Sequence, residues 1–448
     1  MESTFEFLRF VQSKDLSFWD VKSYLGTSIC SQFVVIKLKD YLIEQNKKEK
    51  LSKYPDEYFK ILGVNNQNGL FDAYEEQGKN INQPYKKVEN GWFAYNPYRV
   101  NVGSIGLKSA QQNNEYISPA YVVFSCKDAL LPDYLNVIIK TKFFNEAIKA
   151  NTTGSVRQTL GFNNLCNIEI PLPSIEKQKE LVAQYDALLN LAKDKENQAD
   201  TMEQSIDDYL MAELGIKENL PSTSNSLFQI GEYKVLSNWD IKTLEKNQNF
   251  LSSSKYSTYK CSQILSINPC TVLPSDKNTE ISFIPMENVS DAYGKVMRLD
   301  KKNVTKAKGY TKFKNGDLIW AKITPCMQNG KSAVLDNLLN GYGCGSTEFY
   351  VIRNDKITEK LNTNFLHLLL RMKLVLNEAM KTFTGACGQQ RVPVRFIKEL
   401  QIPLPPLSIQ HRILEEVTFR KEQIKSLREE SEKLRLQAIS DFEKEVFN

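Results

Sequence analysis

The sequence predicts an α+β protein. Two tandem mixed α/β domains are separated by two long helices forming an antiparallel coiled coil, as an internal repeat with pseudo-twofold symmetry. Three observations predict this. The segment IPLPSIEKQKELV at 170–182 returns as IPLPPLSIQHRIL at 402–414. Each copy leads into a run of roughly forty residues with apolar positions every three or four. Each copy also follows a region of short β-favouring runs broken by turn residues.

The echo extends along the chain. LSFWDVKSYL, from 16, returns as LSNWDIKTLE, from 236, so Trp19, Asp20 and Lys22 correspond to Trp239, Asp240 and Lys242. FVVIKLKDYL (33–42) returns as YSTYKCSQIL (256–265), and ENGWFAYN (89–96) as KNGDLIWA (314–321). SPAYVVF (118–124) returns as STEFYVI (346–352). The order is kept while the offset drifts from 220 to 232, the mark of a duplication with small insertions. The expected boundaries are a first domain at 1–173, a helix at 174–216, a polar linker at 217–235, a second domain at 236–406 and a second helix at 407–448.

Within each domain, runs such as FVVIKL, YVVFSC, ISFIP, GDLIWAKI and EFYVI read as strands, with NG, GY and NP as turns. One helical patch precedes each IPLP, at 131–149 and at 364–381. Pro171, Pro173, Pro403, Pro405 and Pro406 cannot lie inside a helix and so set its start, with Ser174 or Ser408 available as caps. In the first long helix, positions 181, 185, 188, 192, 195, 199, 202, 206 and 209 form a heptad seam. The aligned positions 413, 417, 420, 424, 427, 431, 434, 438 and 441 keep the same register. Each helix would span about 60 Å, too long to cover one small domain, so pairing of the two is favoured over separate docking. Paired antiparallel, they place the domains at opposite ends. Lys195, Arg420 and Asp441 interrupt the seam, which points to further helices completing a bundle.

The chain has 448 residues, 41% hydrophobic and 25% charged, in the range of globular proteins. It has no apolar run near 18 residues, so no transmembrane helix is expected, and its start lacks the pattern of a secretory signal. Eight cysteines form no CxxC pair and there are only two histidines, so neither a zinc site nor a disulfide framework is indicated; buried thiols in the cytoplasm are. The net charge of +5 is uneven. Residues 176–218 carry −6 and 412–448 carry −1, leaving +12 on the domains, as suits domains placed on a polyanion.

Catalytic patterns fail on inspection. Asn96-Pro97-Tyr98 has one proline where an amino-methyltransferase clamp needs two, and the glycines at 341–345 open no helix. Gly330-Lys331-Ser332 ends like a phosphate loop, but Pro325 replaces its first glycine. His367 reads as a satisfied core residue and His411 as solvated. Asp56-Glu57 reads as surface charge.

GACGQQRVPVRFIKELQIPLPPLSIQHRI (385–413) resembles the end of a target recognition domain, with the start of its helix, in DNA specificity (S) subunits of type I restriction–modification systems. GSVRQTLGFNNLCNIEIPLPSIEKQKEL (154–181) looks like the same element, and NGDLIWAKITPCMQNGKSA (315–333) and GSTEFYVIR (345–353) resemble further stretches of those domains. The resemblance covers essentially the whole chain, twice in order. It implies two target recognition domains, each reading half of a bipartite site on double-stranded DNA, and helices that set the gap. Two adenine methyltransferase subunits would dock on those helices, and endonuclease/translocase subunits would join. The subunit itself would be no enzyme and need no cofactor. NGWFAYNPYRV (90–100) departs from the GD-plus-hydrophobic pattern that the second repeat keeps. A type IIB-like restriction–modification subunit and a helical protein-binding scaffold remain as alternatives.

Base edges are read by Arg, Lys, Asn and Gln on loops held by a rigid domain. The first repeat offers Arg99, Asn101 and Lys108, then Arg157 and Gln158. The second offers Lys322, Gln328, Asn329 and Lys331 in one loop, and Gln389, Gln390 and Arg391 in another. Each could equally be an ordinary solvated side chain. Lys295, Arg298, Lys301, Lys302, Lys306 and Lys308 suit phosphates better.

Overall fold

A computed structural model describes residues 29–66, 69–100, 103–152, 159–216, 250–386 and 388–447. The Trp-Asp-x-Lys echo around Trp19 and Trp239 and the linker from 217 lie outside them, as do Asn101, Arg157 and Gln158. The chain divides into two compact units, residues 1–196 with 428–448, and residues 197–427.

In the first unit the strands are β1 (Val34–Lys37), β2 (Leu42–Glu44), β3 (Lys48–Glu49), β4 (Tyr58–Asn65), β5 (Gly69–Gln77), β6 (Tyr85–Lys87), β7 (Phe93–Tyr95), β8 (Ile105–Leu107), β9 (Tyr116–Ile117), β10 (Val122–Cys126) and β11 (Glu169–Leu172). They form sheets of order β1-β11, β2-β10-β7-β8 and β3-β6-β9-β4-β5. Helices α1 (Pro132–Ile138), α2 (Lys142–Asn151) and α3 (Phe162–Cys166) follow, and then the long α4 (Ile175–Leu214), which continues into the second unit.

The second unit has β12 (Thr258–Lys260), α5 (Cys261–Ile264), β13 (Ser266–Ile267), β14 (Glu280–Ile284), β15 (Asp300–Asn303), β16 (Thr311–Lys314), β17 (Leu318–Ala321), β18 (Ser332–Val334), β19 (Tyr342–Gly345) and β20 (Phe349–Arg353). Helices α6 (Thr363–Leu370), α7 (Lys373–Met380) and α8 (Val394–Glu399), strand β21 (Gln401–Pro403) and the long α9 (Leu407–Phe447) follow. The sheets are β12-β21, β13-β20-β17-β18 and β15-β14-β19-β16; they follow those of the first unit, whose third sheet has the additional edge strand β3. Even the parallel pair recurs, β4 with β9 and β14 with β19. The Asn-Gly turns opening β7 and β17 both need a left-handed glycine, Gly91 at φ +82° and Gly316 at φ +83°. The departing NGW stretch therefore builds the same turn as NGD.

Each helical patch expected before IPLP is two short helices rather than one. Thr141 interrupts the first: its hydroxyl donates to the Ile138 carbonyl and accepts from the Phe144 N–H. Distant carboxylates take the first N–H of each second helix, Glu443 that of Lys142 and Asp207 that of Lys373. The long helices start close to the expected positions, with Ser174 accepting from the Lys177 N–H. Ser408 is no cap. It lies inside α9, and Pro406 stands at the place corresponding to Ser174, its carbonyl receiving the Ile409 and Gln410 N–H groups.

The helices pair antiparallel within each unit. In the first, Lys195 meets Glu430 at 2.9 Å while Lys177 meets Glu445 at 3.9 Å. In the second, Arg420 donates to Ser205 while Arg412 meets Glu213 at 2.7 Å. Every expected seam position is buried or half-buried. The interrupting charges have partners inside the pair. Lys195 has Glu430, and Arg420 has Glu416 and the Tyr209 ring. Asp441 accepts from Gln437. Near the helix ends burial steps by four, through Ile206, Leu210 and Leu214 and through Ala438, Phe442 and Val446. A straight α-helix drifts off a strict heptad in this way. These ends join the domain cores: Phe442 packs with Tyr134 in the cluster that holds Phe144, and Leu210 belongs to the cluster of Trp320 and Phe365.

Candidate DNA-reading surface

The second unit gathers its predicted loops around one carboxylate. β17 ends at Ala321 and hands over to the loop 322–331, while the segment 384–391 folds back on itself. Thr384 and Arg391 exchange backbone hydrogen bonds, and the Thr324 N–H donates to the Gln390 carbonyl. The Val392 N–H donates to the Lys322 carbonyl, and the Lys322 N–H to that of Glu348 at 2.9 Å. Glu348, just before β20, receives Arg391 through Nε at 2.9 Å and Nη2 at 2.8 Å. Lys322 stands 4.0 Å from the same carboxylate and over the Tyr350 ring. The Arg391 hydrogen bonds hold the Glu348 carboxyl below its ordinary range.

The other predicted residues take varied places. Gln328 and Asn329 are exposed at the loop tip, where Gln328 accepts from Thr324 and reaches the Met380 sulfur at 3.4 Å. Lys331 is half-buried and donates to the Met286 carbonyl. Gln389 is exposed, and Gln390 is half-buried with its carbonyl spent on the loop contact. Arg391 also ties the two loops together.

In the first unit Arg99 is exposed on a turn after β7. Lys108 is only 5% exposed, lodged behind the turn at Gly91, whose N–H its carbonyl receives. Asn101, Arg157 and Gln158 lie outside the described residues.

The basic stretch of the second unit forms an edge. Lys301 and Lys302 lie on β15, the outer strand of its sheet, and Lys295, Arg298, Lys301, Lys306 and Lys308 are exposed. Lys302 is held 3.5 Å from the Phe283 ring centre and 3.8 Å from that of Tyr310. Arg298 pairs with Asp300 at 2.9 Å. His367 is set among α6, its ring nitrogen 3.0 Å from the Ser332 hydroxyl, and burial pushes its pKa down to about 3.

Sequence reasoning missed two groups. Glu348 was visible as the acidic residue of STEFYVI where the first repeat has Ala120. Gln178 and Gln410 stand at the same place in the two IPLP echoes, and both are fully buried.

Residues 253–434 match the family described as type I restriction modification DNA specificity domain. The second repeat matches such a domain. The specificity domain spans the sheets, both loops and much of α9. A stretch of 153 residues is 40% identical to the specificity subunit of the type I restriction enzyme EcoAI of Escherichia coli, covering 34% of this chain and 26% of that protein. Over 154 residues the chain is 38% identical to the EcoEI specificity subunit of Escherichia coli, covering 34% and 25%. The match thus spans about a quarter of the length of these relatives. A solved chain from work on complex assembly and conformational transition of the type I R-M system shares the fold, with TM-score 0.59 over 94% of this chain and 99% of that one at 15% identity.

Proposed function

We propose that the chain is the DNA sequence-specificity subunit of a type I restriction–modification complex. Residues 1–173 and 236–406 act as target recognition domains, each reading half of a bipartite duplex site. The helices 174–216 and 407–448 set the gap between the halves and dock two adenine methyltransferase subunits, with endonuclease/translocase subunits joining the complex in the cytoplasm. The chain contributes binding, and its partners the chemistry.

One observation carries this reading. The specificity-domain match lies on the second repeat, and the first repeat has the same three sheets in the same order, with one edge strand added to the third. Two domains of one kind call for two half-sites. The exposed lysines around β15 supply phosphate contacts, and exposed Leu191, Phe419 and Leu436 on the long helices suit a protein partner.

The test is duplex affinity of the full chain with its methyltransferase partner across a salt series. The logarithm of affinity should fall linearly with the logarithm of salt, about one unit of slope per phosphate neutralised. An affinity indifferent to salt would favour the protein scaffold instead.

A further inference from the structure

A guanidinium carries five N–H groups. At Arg391, Glu348 takes the Nε–H at 2.9 Å and one Nη2–H at 2.8 Å, and the Gln389 carbonyl takes one Nη1–H at 2.9 Å. Among the contacts of the described residues, one N–H on each terminal nitrogen remains, and the side chain is 42% exposed. Both ends of this arrangement are anchored. The Arg391 backbone pairs with Thr384 and bridges to Ile323. The Glu348 N–H is held by the Ser346 hydroxyl at 3.2 Å, and its carbonyl by the Lys322 N–H.

Such an arrangement is poor for phosphate. A phosphate contact asks for charge and tolerates many geometries, and the Glu348 carboxylate offsets much of the charge Arg391 would bring. The exposed lysines near β15 serve phosphate better. A buttress that gives up charge to fix the plane of a guanidinium is useful where geometry is read. The paired acceptors N7 and O6 of guanine, side by side in the major groove, are the base edge that a two-donor fork matches.

We propose that Arg391, oriented by Glu348, reads a guanine in the half-site recognised by the second repeat. Glu348 is then a positioning residue and Arg391 the reader. The inference rests on the reading of the chain as a DNA specificity subunit. It is confined to one half. In the first repeat the Leu160 N–H donates to the Pro97 carbonyl as Val392 does to Lys322, which places Thr159 at the Arg391 position, and Ala120 stands at that of Glu348.

The experiment uses the full chain with its methyltransferase partner. Methylation sequencing with the wild-type chain first defines the site, which tests the parent reading. Binding is then measured to duplexes in which each guanine in turn is replaced by 7-deazaguanine, which loses N7 but still pairs with cytosine. With wild type, one guanine in one half should show a loss of about tenfold or more. With Arg391→Lys, which keeps the cation but loses the fork, that sensitivity should vanish while affinity for random DNA is kept. Glu348→Gln should reduce it in the same place. Absence of any sensitive guanine in wild type, or its persistence in Arg391→Lys, overturns the inference. Should Glu348→Gln not melt cooperatively, the wild-type scan and Arg391→Lys decide alone. A wild-type chain that defines no site overturns the parent reading, and this inference with it.

Discussion

Asp317 is completely buried beneath its turn, and Arg353 reaches it with Nε at 2.6 Å and Nη2 at 2.8 Å. The carboxylate also accepts the Lys314 N–H, and Arg353 donates to Thr271. This pair ties NGDLIWA to EFYVIR, so the motif residues are linked by one ion pair. Removing one member leaves the other charge buried and unanswered. Asp317→Ala should therefore cost about 3–5 kcal/mol in urea unfolding, and a cost near zero would show water already answers Arg353. In the first repeat both partners are replaced together, by Trp92 and Ser125. His367 gives a second test. Its folded pKa of about 3 lies below the ordinary 6.5, so the neutral ring is the folded form. No stability is lost above pH 6.5; it falls as pH drops from there toward 3, by at most about 1.4 kcal/mol per unit. His367→Gln should flatten the fall in melting temperature between those limits, and an unchanged slope would contradict a buried neutral ring. The sequence could show His367 in an apolar patch, but not Ser332 beside it, because that contact joins β18 to α6.

At the scale of elements, the long helices were the most legible part. Their register follows from a periodicity that any pairing must bury, so each seam position is buried or half-buried. The short helices were less so, because the carboxylates of Asp207 and Glu443 come from far along the chain. The joints between helix and domain depend on buried glutamines. Gln178 accepts the Leu131 N–H and donates to the Ala129 and Pro173 carbonyls. Gln410 accepts the Asn362 N–H and donates to the Lys360 and Pro405 carbonyls. Each thus pins the start of its helix to the loop before a domain helix. Gln410→Ala leaves buried backbone groups unmet and should cost about 1–3 kcal/mol. Amide exchange at Asn362 should rise above the change elsewhere in the second unit. Uniform exchange across that unit would mean the joint is held by packing alone.

For the whole molecule, duplication was legible because short motifs recur in order, and composition placed the positive charge on the domains. Contact residues were the least legible. Loop side chains face either solvent or their own fold: Lys108 is buried, while Arg391 is held by a carboxylate and stays partly exposed. The family likeness names the kind of domain in the second repeat, and the first repeat follows the order of its sheets. The central claim is that the two repeats together choose where DNA is methylated. Methylation-aware sequencing of cells expressing the chain with its methyltransferase, against cells lacking this chain alone, tests it most directly. The account predicts a two-part motif with a fixed gap, methylated only when the chain is present. Methylation unchanged by the loss of the chain would contradict it.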